Sequence, residues 1–406
     1  MTGFSTRAIK AATQTPPVNQ TPSSVPIYQS AAFSTADAAE LGDVLTGAVP
    51  GYAYSRIDNP TTAALGDAVA ELEGAEAGLA FATGMAAIHA AIVSTVRAGQ
   101  TIVATKAVYG TTRDLMVRVL SGLGIATEFV DPRDPAAVDA ALARTGAPVL
   151  YVETISNPTI VVSDLAALAT VAHRHGALLL VDNTFASPYS CRPIELGADL
   201  VMHSATKYLS GHGDVLAGVV VGGNERIAAV RPILVDVGGA LAPIAAFLVL
   251  RGLPTLAIRM ERHTETALGL AAWLAGQDGV DRVHYPGLPG DPSHQIAMRQ
   301  LKVFGGMLAF ELSGGREAGR AFLDAMVVAE RTATLGGVRT ITTHPPSTTH
   351  RQLDAAALRE AGIAPGMLRC SVGLEDVEDL RADFELGLAA ARAASPASPN
   401  PSSIRR

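Results

Sequence analysis

Between residues 62 and 221 the chain alternates short apolar runs with longer stretches whose apolar positions recur at helical spacing. The runs at 77–81, 101–104, 126–130, 149–153 and 177–181 read as strands, and the stretches at 62–72, 86–96, 112–120, 135–142 and 165–173 read as helices. Two more apolar runs follow, 200–203 and 215–221, separated by a polar segment. Strands that alternate with helices predict an α/β fold with a mostly parallel sheet, covered by helices on both faces. Beyond about residue 245 the pattern changes. Two helical stretches, 245–262 and 264–274, a Gly/Pro-rich turn at 286–292 and strands near 307–312 predict a second, smaller α+β domain. The expected organisation is an extended N-terminal arm over 1–50, a large domain over 51–245, a small domain over 246–394 and a disordered tail over 395–406.

Composition narrows the function. Of 406 residues 38 are acidic and 31 basic, a formal charge of −7, which excludes nucleic-acid binding driven by bulk positive charge. The most apolar stretch, 241–250, has ten residues and contains Pro243, half of the roughly 20 needed to cross a bilayer. No membrane partner is expected. The first ten residues lack the apolar core of a signal peptide, and the two cysteines, Cys191 and Cys370, lie far apart. Both features suit a protein of the reducing cytoplasm. No His/Cys cluster has metal-ligand spacing, so no metal is expected.

In open α/β sheets ligands bind at the carboxyl ends of the strands, and here those ends carry Thr83-Gly84-Met85, Val108-Tyr109-Gly110, Glu153 with Asn157, Asp182-Asn183-Thr184 and His203 to Lys207. Asp182 ends a strand buried on both faces, so its carboxylate needs a partner: either the backbone of the next turn or a cationic ligand. Lys207 is one of only four lysines. It follows a strand end with no acidic neighbour, a setting in which a desolvated amine becomes a nucleophile toward an aldehyde; the alternative is a lysine reaching out to solvent. Gly84 and Met85 open a helix whose N-terminus suits a phosphate, and the Ser204 and Thr206 hydroxyls alternate along the chain so that both can face it. Tyr109 offers a ring to stack on a flat ligand, or fills an interface. An acid, an amine, a ring and phosphate donors at one sheet edge together point to pyridoxal 5'-phosphate (PLP).

The run Ser204-Ala205-Thr206-Lys207-Tyr208-Leu209-Ser210-Gly211-His212-Gly213-Asp214 resembles the trans-sulfuration (Cys/Met metabolism) family of PLP enzymes. So do Tyr54-Ser55-Arg56 with Asn59-Pro60-Thr61, Ser156-Asn157-Pro158, Val181-Asp182-Asn183-Thr184, Arg251-Gly252-Leu253 and Leu368-Arg369 with Ser371-Val372-Gly373. The resemblance implies PLP fold-type I, the aspartate aminotransferase-like architecture, in a homotetramer of tight dimers with shared active sites. It further implies that Lys207 carries the Schiff base, Asp182 holds the pyridinium nitrogen and Tyr109 stacks on the ring and moves protons. Gly84, Met85, Ser204 and Thr206 match the phosphate donors, Tyr54 and Arg56 the residues that reach a neighbouring subunit's phosphate, and Asn157 a residue near the ring oxygen. Arg369 matches the grip on the substrate α-carboxylate.

Thr334 and Arg339 fall on the pocket wall that separates the family's reactions, and there the pattern is mixed. Arg339 stands where cystathionine enzymes often carry Glu, and the run from His344 to Leu353 is similar to sulfhydrylases that use O-acylated homoserine. Ser210 to Asp214 is similar to methionine γ-lyases and cystathionine enzymes, although Thr111 replaces the Cys typical of the former. The expected substrate is a small amino acid attacked at Cγ. Elimination from cystathionine, homocysteine or methionine, giving 2-oxobutanoate and ammonia, is the leading reading, and γ-replacement on an O-acylhomoserine is its rival.

Overall fold

All seven predicted runs of the first half become strands of one sheet. The computed structural model describes residues 20–349, 351 and 354–394; the beginning of the expected arm, the expected tail and His350, Gln352 and Leu353 lie outside the described residues. Strands β1 (Ala77–Phe81), β2 (Thr101–Thr105), β3 (Ala126–Val130), β4 (Val149–Glu153), β5 (Leu178–Asp182), β6 (Leu200–His203) and β7 (Gly218–Gly222) pair in the order β1-β7-β6-β5-β4-β2-β3. Pairs among β3, β2, β4, β5 and β6 are parallel, and β7 runs antiparallel between β6 and β1. The carboxyl ends of β1, β2, β4, β5 and β6 therefore share one edge.

The intervening helices start where the chain supplies a cap. Asn59, Thr83, Asp134 and Asp164 each accept a backbone N–H of the helix they precede, and Pro60 and Pro135 take first-turn positions that need no donor. Helix Pro60–Glu73 crosses β1 at backbone contact: a Cβ on Gly66 would stand 2.6 Å from the Gly78 carbonyl oxygen. Val103, Leu150, Leu179 and Val201 fill one face of the sheet, and Ile102, Tyr151, Leu180 and Met202 the other, all essentially unexposed. Each such side chain contributes about 1.5–3 kcal/mol.

The second half differs more from its pattern. The expected boundary near 245 falls inside helix Pro243–Gly252, and the helical breaks lie at a 3-10 turn over Leu253–Thr255 rather than after Arg262. Pro254 is the cause, since it lacks the N–H that would continue the first helix. The combined stretch Pro243–Leu274 is long and apolar enough by composition to cross a membrane. Here it is a core element that buries Met260, Leu270 and Leu274, along with Arg259, whose guanidinium caps the carbonyls of Tyr208 (2.6 Å) and Gly252 (2.9 Å). The strands expected near 307–312 are part of a four-stranded antiparallel sheet in the order β10-β11-β9-β8: β8 (Val280–His284), β9 (Met307–Leu312), β10 (Ile341–Thr343) and β11 (Met367–Ser371). Phe310, Phe322 and Phe384 pack edge to face beneath it. Within the expected arm, Ala38–Thr46 is a helix with no buried residue, capped by Asp37.

Candidate active site

Where the strand ends of the seven-stranded sheet meet the four-stranded sheet lies a cavity of about 360 Å³. Its wall includes Gly84, Met85, Tyr109, Glu153, Asn157, Asp182, Ser204, Thr206, Lys207 and Arg369, so ten residues singled out in the sequence converge on it. Thr334 joins them, because Lys207 Nζ donates to its hydroxyl at 3.1 Å.

Lys207 is half-buried, with no carboxylate against its amine. Burial, and then the Arg369 guanidinium, lower its pKa from 10.5 to about 8. At pH 7 roughly one such amine in ten is neutral, against about one in three thousand for an unperturbed lysine. Asp182, at the end of β5, is buried; its Oδ1 accepts the Thr184 N–H at 3.0 Å, and the Tyr151 hydroxyl lies 3.5 Å from Oδ2. Burial raises its pKa. Glu153 is its register partner on β4 and is likewise buried and raised, by burial first and by Asp182 second. Two buried carboxylates side by side, with no Lys or Arg bonded to either among the described residues, make this edge a receptor for a cationic or proton-bearing group.

Arg369 arrives from the small sheet on β11. It is buried, donates to Asn157 Oδ1 at 3.0 Å and leaves its Nε without a partner. Burial lowers its pKa to about 10, still charged at neutral pH, so it presents a desolvated cation with an unused donor. At the first strand end Thr83 spends its hydroxyl on the Ala86 N–H, which leaves the Gly84 and Met85 N–H groups free at the start of a twelve-residue helix. The cradle is tight. A Cβ on Gly84 would sit 2.7 Å from the Ser204 Cβ, and one on Gly218 2.2 Å from the Thr83 carbonyl oxygen. Of the two hydroxyls expected there, Thr206 is engaged with Ala217, accepting its N–H at 3.0 Å and donating to its carbonyl at 3.2 Å.

Three expected residues are not brought to this cavity within the chain. Tyr54 and Arg56 lie on the surface, with Arg56 stacked at 5.4 Å over the Tyr54 ring and donating to the Val235 carbonyl at 2.6 Å. Arg339, expected at the substrate, is an exposed side chain ion-paired to Glu330, which holds it off the wall. The wall also contains residues with no role assigned from sequence: Ile88, Thr111, Asp114, Phe185, Leu216 and Thr349. Two of these carried a signal: Thr111, by its place after Tyr109-Gly110, and Thr349, by its place in the run from His344 to Leu353 that is similar to sulfhydrylases.

Residues 5–389 match the family described as Cys/Met metabolism PLP-dependent enzyme. The chain belongs to that family. An L-methionine γ-lyase of Porphyromonas gingivalis is 42% identical over 89% of this chain and 92% of its own. An O-succinylhomoserine sulfhydrylase of Pseudomonas aeruginosa is 41% identical over 95% of both. A solved structure of cystathionine γ-synthase from Xanthomonas oryzae pv. oryzae superposes with a TM-score of 0.86, at 39% identity over 91% of this chain and 94% of the other. The fold is thus PLP fold-type I, and the protein is a PLP-dependent trans-sulfuration enzyme. The residues present fit the cofactor: two free N–H groups at a helix start for its phosphate, a partly neutral amine for its aldehyde and a buried acid with no cation for its ring nitrogen.

Proposed function

We propose that the protein catalyses γ-elimination on a homocysteine-type amino acid, with L-cystathionine as the best-suited substrate, giving cysteine, 2-oxobutanoate and ammonia with uptake of one water. When bound, PLP supplies the sink for the electrons left at the substrate Cα. Lys207 would hold the cofactor aldehyde, and its amine, neutral in part at pH 7, would carry the Cα proton. Asp182 holds the proton on the ring nitrogen. Tyr109, at the cavity wall, would lie against the cofactor ring, and its hydroxyl would supply a proton to the departing sulfur. Arg369, steadied by Asn157, binds the α-carboxylate, and Thr334 orients Lys207 through its hydroxyl. Gly84, Met85 and Ser204 hold the phosphate, Thr206 supports that wall through Ala217, and the exposed Tyr54 and Arg56 complete the phosphate site of a neighbouring subunit in a tetramer built from dimers.

The charge around the cavity carries the choice of substrate. Among the described residues that line it, the cations are Lys207 and Arg369, both already committed, whereas Asp114 places an additional carboxylate at the wall. A distal ammonium, as in cystathionine, suits that wall better than the distal carboxylate of a succinyl ester. The rival, γ-replacement on an O-acylhomoserine, is favoured by the end-to-end similarity to the sulfhydrylase. To separate them, PLP-loaded protein is incubated with L-cystathionine and with L-homocysteine, without added nucleophile, and the keto acid is identified. Rapid 2-oxobutanoate supports γ-elimination, pyruvate from cystathionine means cleavage at Cβ, and no keto acid moves the assignment to γ-replacement.

A further inference from the structure

Glu153 takes no part in the chemistry set out above, yet its carboxylate joins both halves of the cavity. It closes β4 at 5% exposure, and each oxygen has one donor: Oε1 accepts the Tyr109 N–H at 2.6 Å and Oε2 the Asn157 N–H at 3.0 Å. Those donors lie on different loops. Tyr109 immediately precedes helix Gly110–Asp114, which has no side-chain cap, so the backbone at 109 sets where the ring goes. Asn157 accepts from Arg369 Nη1, a bond that spans 212 positions and ties the small sheet to the large one.

Stability alone does not account for an acid here. Glu153 and Asp182 are register neighbours on parallel strands, both buried, and a second buried carboxylate is a cost to the fold. What a carboxylate offers is two acceptor oxygens and no donor; a glutamine would turn its NH₂ toward one of the two N–H groups. We propose that Glu153 is a positioning residue that fixes the Tyr109 ring and the Asn157–Arg369 clamp relative to each other, so that the amino acid's carboxylate is bound in register with the face of the cofactor. This rests on reading the cavity as a PLP and amino-acid site, but not on which Cγ reaction follows.

The test is Glu153→Gln. One misplaced N–H at a buried charged acceptor corresponds to a loss of roughly 10- to 100-fold. The expected result is a KM raised by that factor for whichever of L-cystathionine or O-succinyl-L-homoserine turns over. Binding of L-norvaline, which has no leaving group, weakens in parallel, and apoprotein binds PLP about tenfold less tightly by fluorescence titration. The melting temperature stays level or rises, an outcome that a merely structural role would not give. Combined with Asn157→Ala, the losses in norvaline affinity fall short of additive. Wild-type norvaline and PLP affinities in Glu153→Gln would overturn the proposal, as would a lowered melting temperature with unchanged affinities. If that variant does not fold, Glu153→Asp, one methylene shorter, is measured in the same way; failure of both to fold makes the residue structural and the proposal wrong. Because neither norvaline nor PLP binding depends on the product formed, these results stand whatever the keto-acid assay finds.

Discussion

Replacing Lys207 by methionine in the PLP-free protein tests the electrostatics of the site without any catalysis. Folding moves the amine from a pKa of 10.5 to about 8, chiefly by burial. Between those values the unfolded chain holds a proton that the folded chain has released, so the lysine's contribution to stability rises with pH across pH 8–10.5. Below pH 8 both states are protonated and the folded state carries the full penalty, about 3 kcal/mol for such a displacement. The lost bond to Thr334 offsets part of the gain. Lys207→Met apoprotein should therefore be about 2 kcal/mol more stable than wild type at pH 6.5, with the advantage down to about 1 kcal/mol at pH 8.5, gone near pH 9.5 and reversed by about 1 kcal/mol at pH 10.5. Urea unfolding of both apoproteins at these pH values measures it, and titrations common to both, such as those of Tyr208 and Cys370, cancel in the difference. A difference that does not vary with pH, or a variant less stable than wild type at pH 6.5, would refute the reasoning. In wild type the same displacement makes the rate of PLP capture climb with pH and level off above about pH 8.

Arg369→Lys keeps the charge but loses the fork that reaches Asn157, and should raise the substrate KM about 10- to 100-fold with kcat less affected, as steady-state kinetics would record. Asp114→Asn should raise the KM for cystathionine about three- to fivefold and leave homocysteine unchanged, because an exposed ion pair contributes no more than about 1 kcal/mol; equal effects on both substrates would remove Asp114 from the distal site. Gly84→Ala puts a methyl group 2.7 Å from the Ser204 Cβ, so PLP affinity by titration should fall at least about tenfold. Arg56→Ala should weaken PLP retention on dialysis, and unchanged retention would count against a contact between subunits.

The cofactor half of the site was legible because it is local. Asp182 and Lys207 each follow an apolar run by one to four residues, and Gly84 opens the helix after β1. Reading strand ends was enough. The substrate half is assembled from a distance. From its own surroundings Arg369 was one of many arginines, and only the resemblance singled it out, because the short strand that carries it reaches Asn157 by tertiary packing. Glu153 stood in the sequence as one more polar strand end, and its role depends on the loops after β2 and β4 meeting over its two oxygens. Arg339 differs in the other direction: its place in a motif suggests the pocket, and within the chain it is exposed and paired to Glu330, nine residues earlier. The small sheet was under-read for a related reason, since β8 mixes Asp281 and Arg282 into an edge strand and β10 has only three residues.

This division bears on why relatives of different activity lie at nearly equal distance. A γ-lyase is 42% identical to this chain and a sulfhydrylase 41%, each over most of its length. Discrimination between two related reactions can rest on a few pocket contacts, and here the wall draws Thr111, Asp114 and Leu216 into the cavity, with Thr334 beside Lys207. Those positions come from several separate segments of the chain, so overall identity averages them away. A wall that offers a distal carboxylate and no spare cation is a direct chemical argument about the substrate.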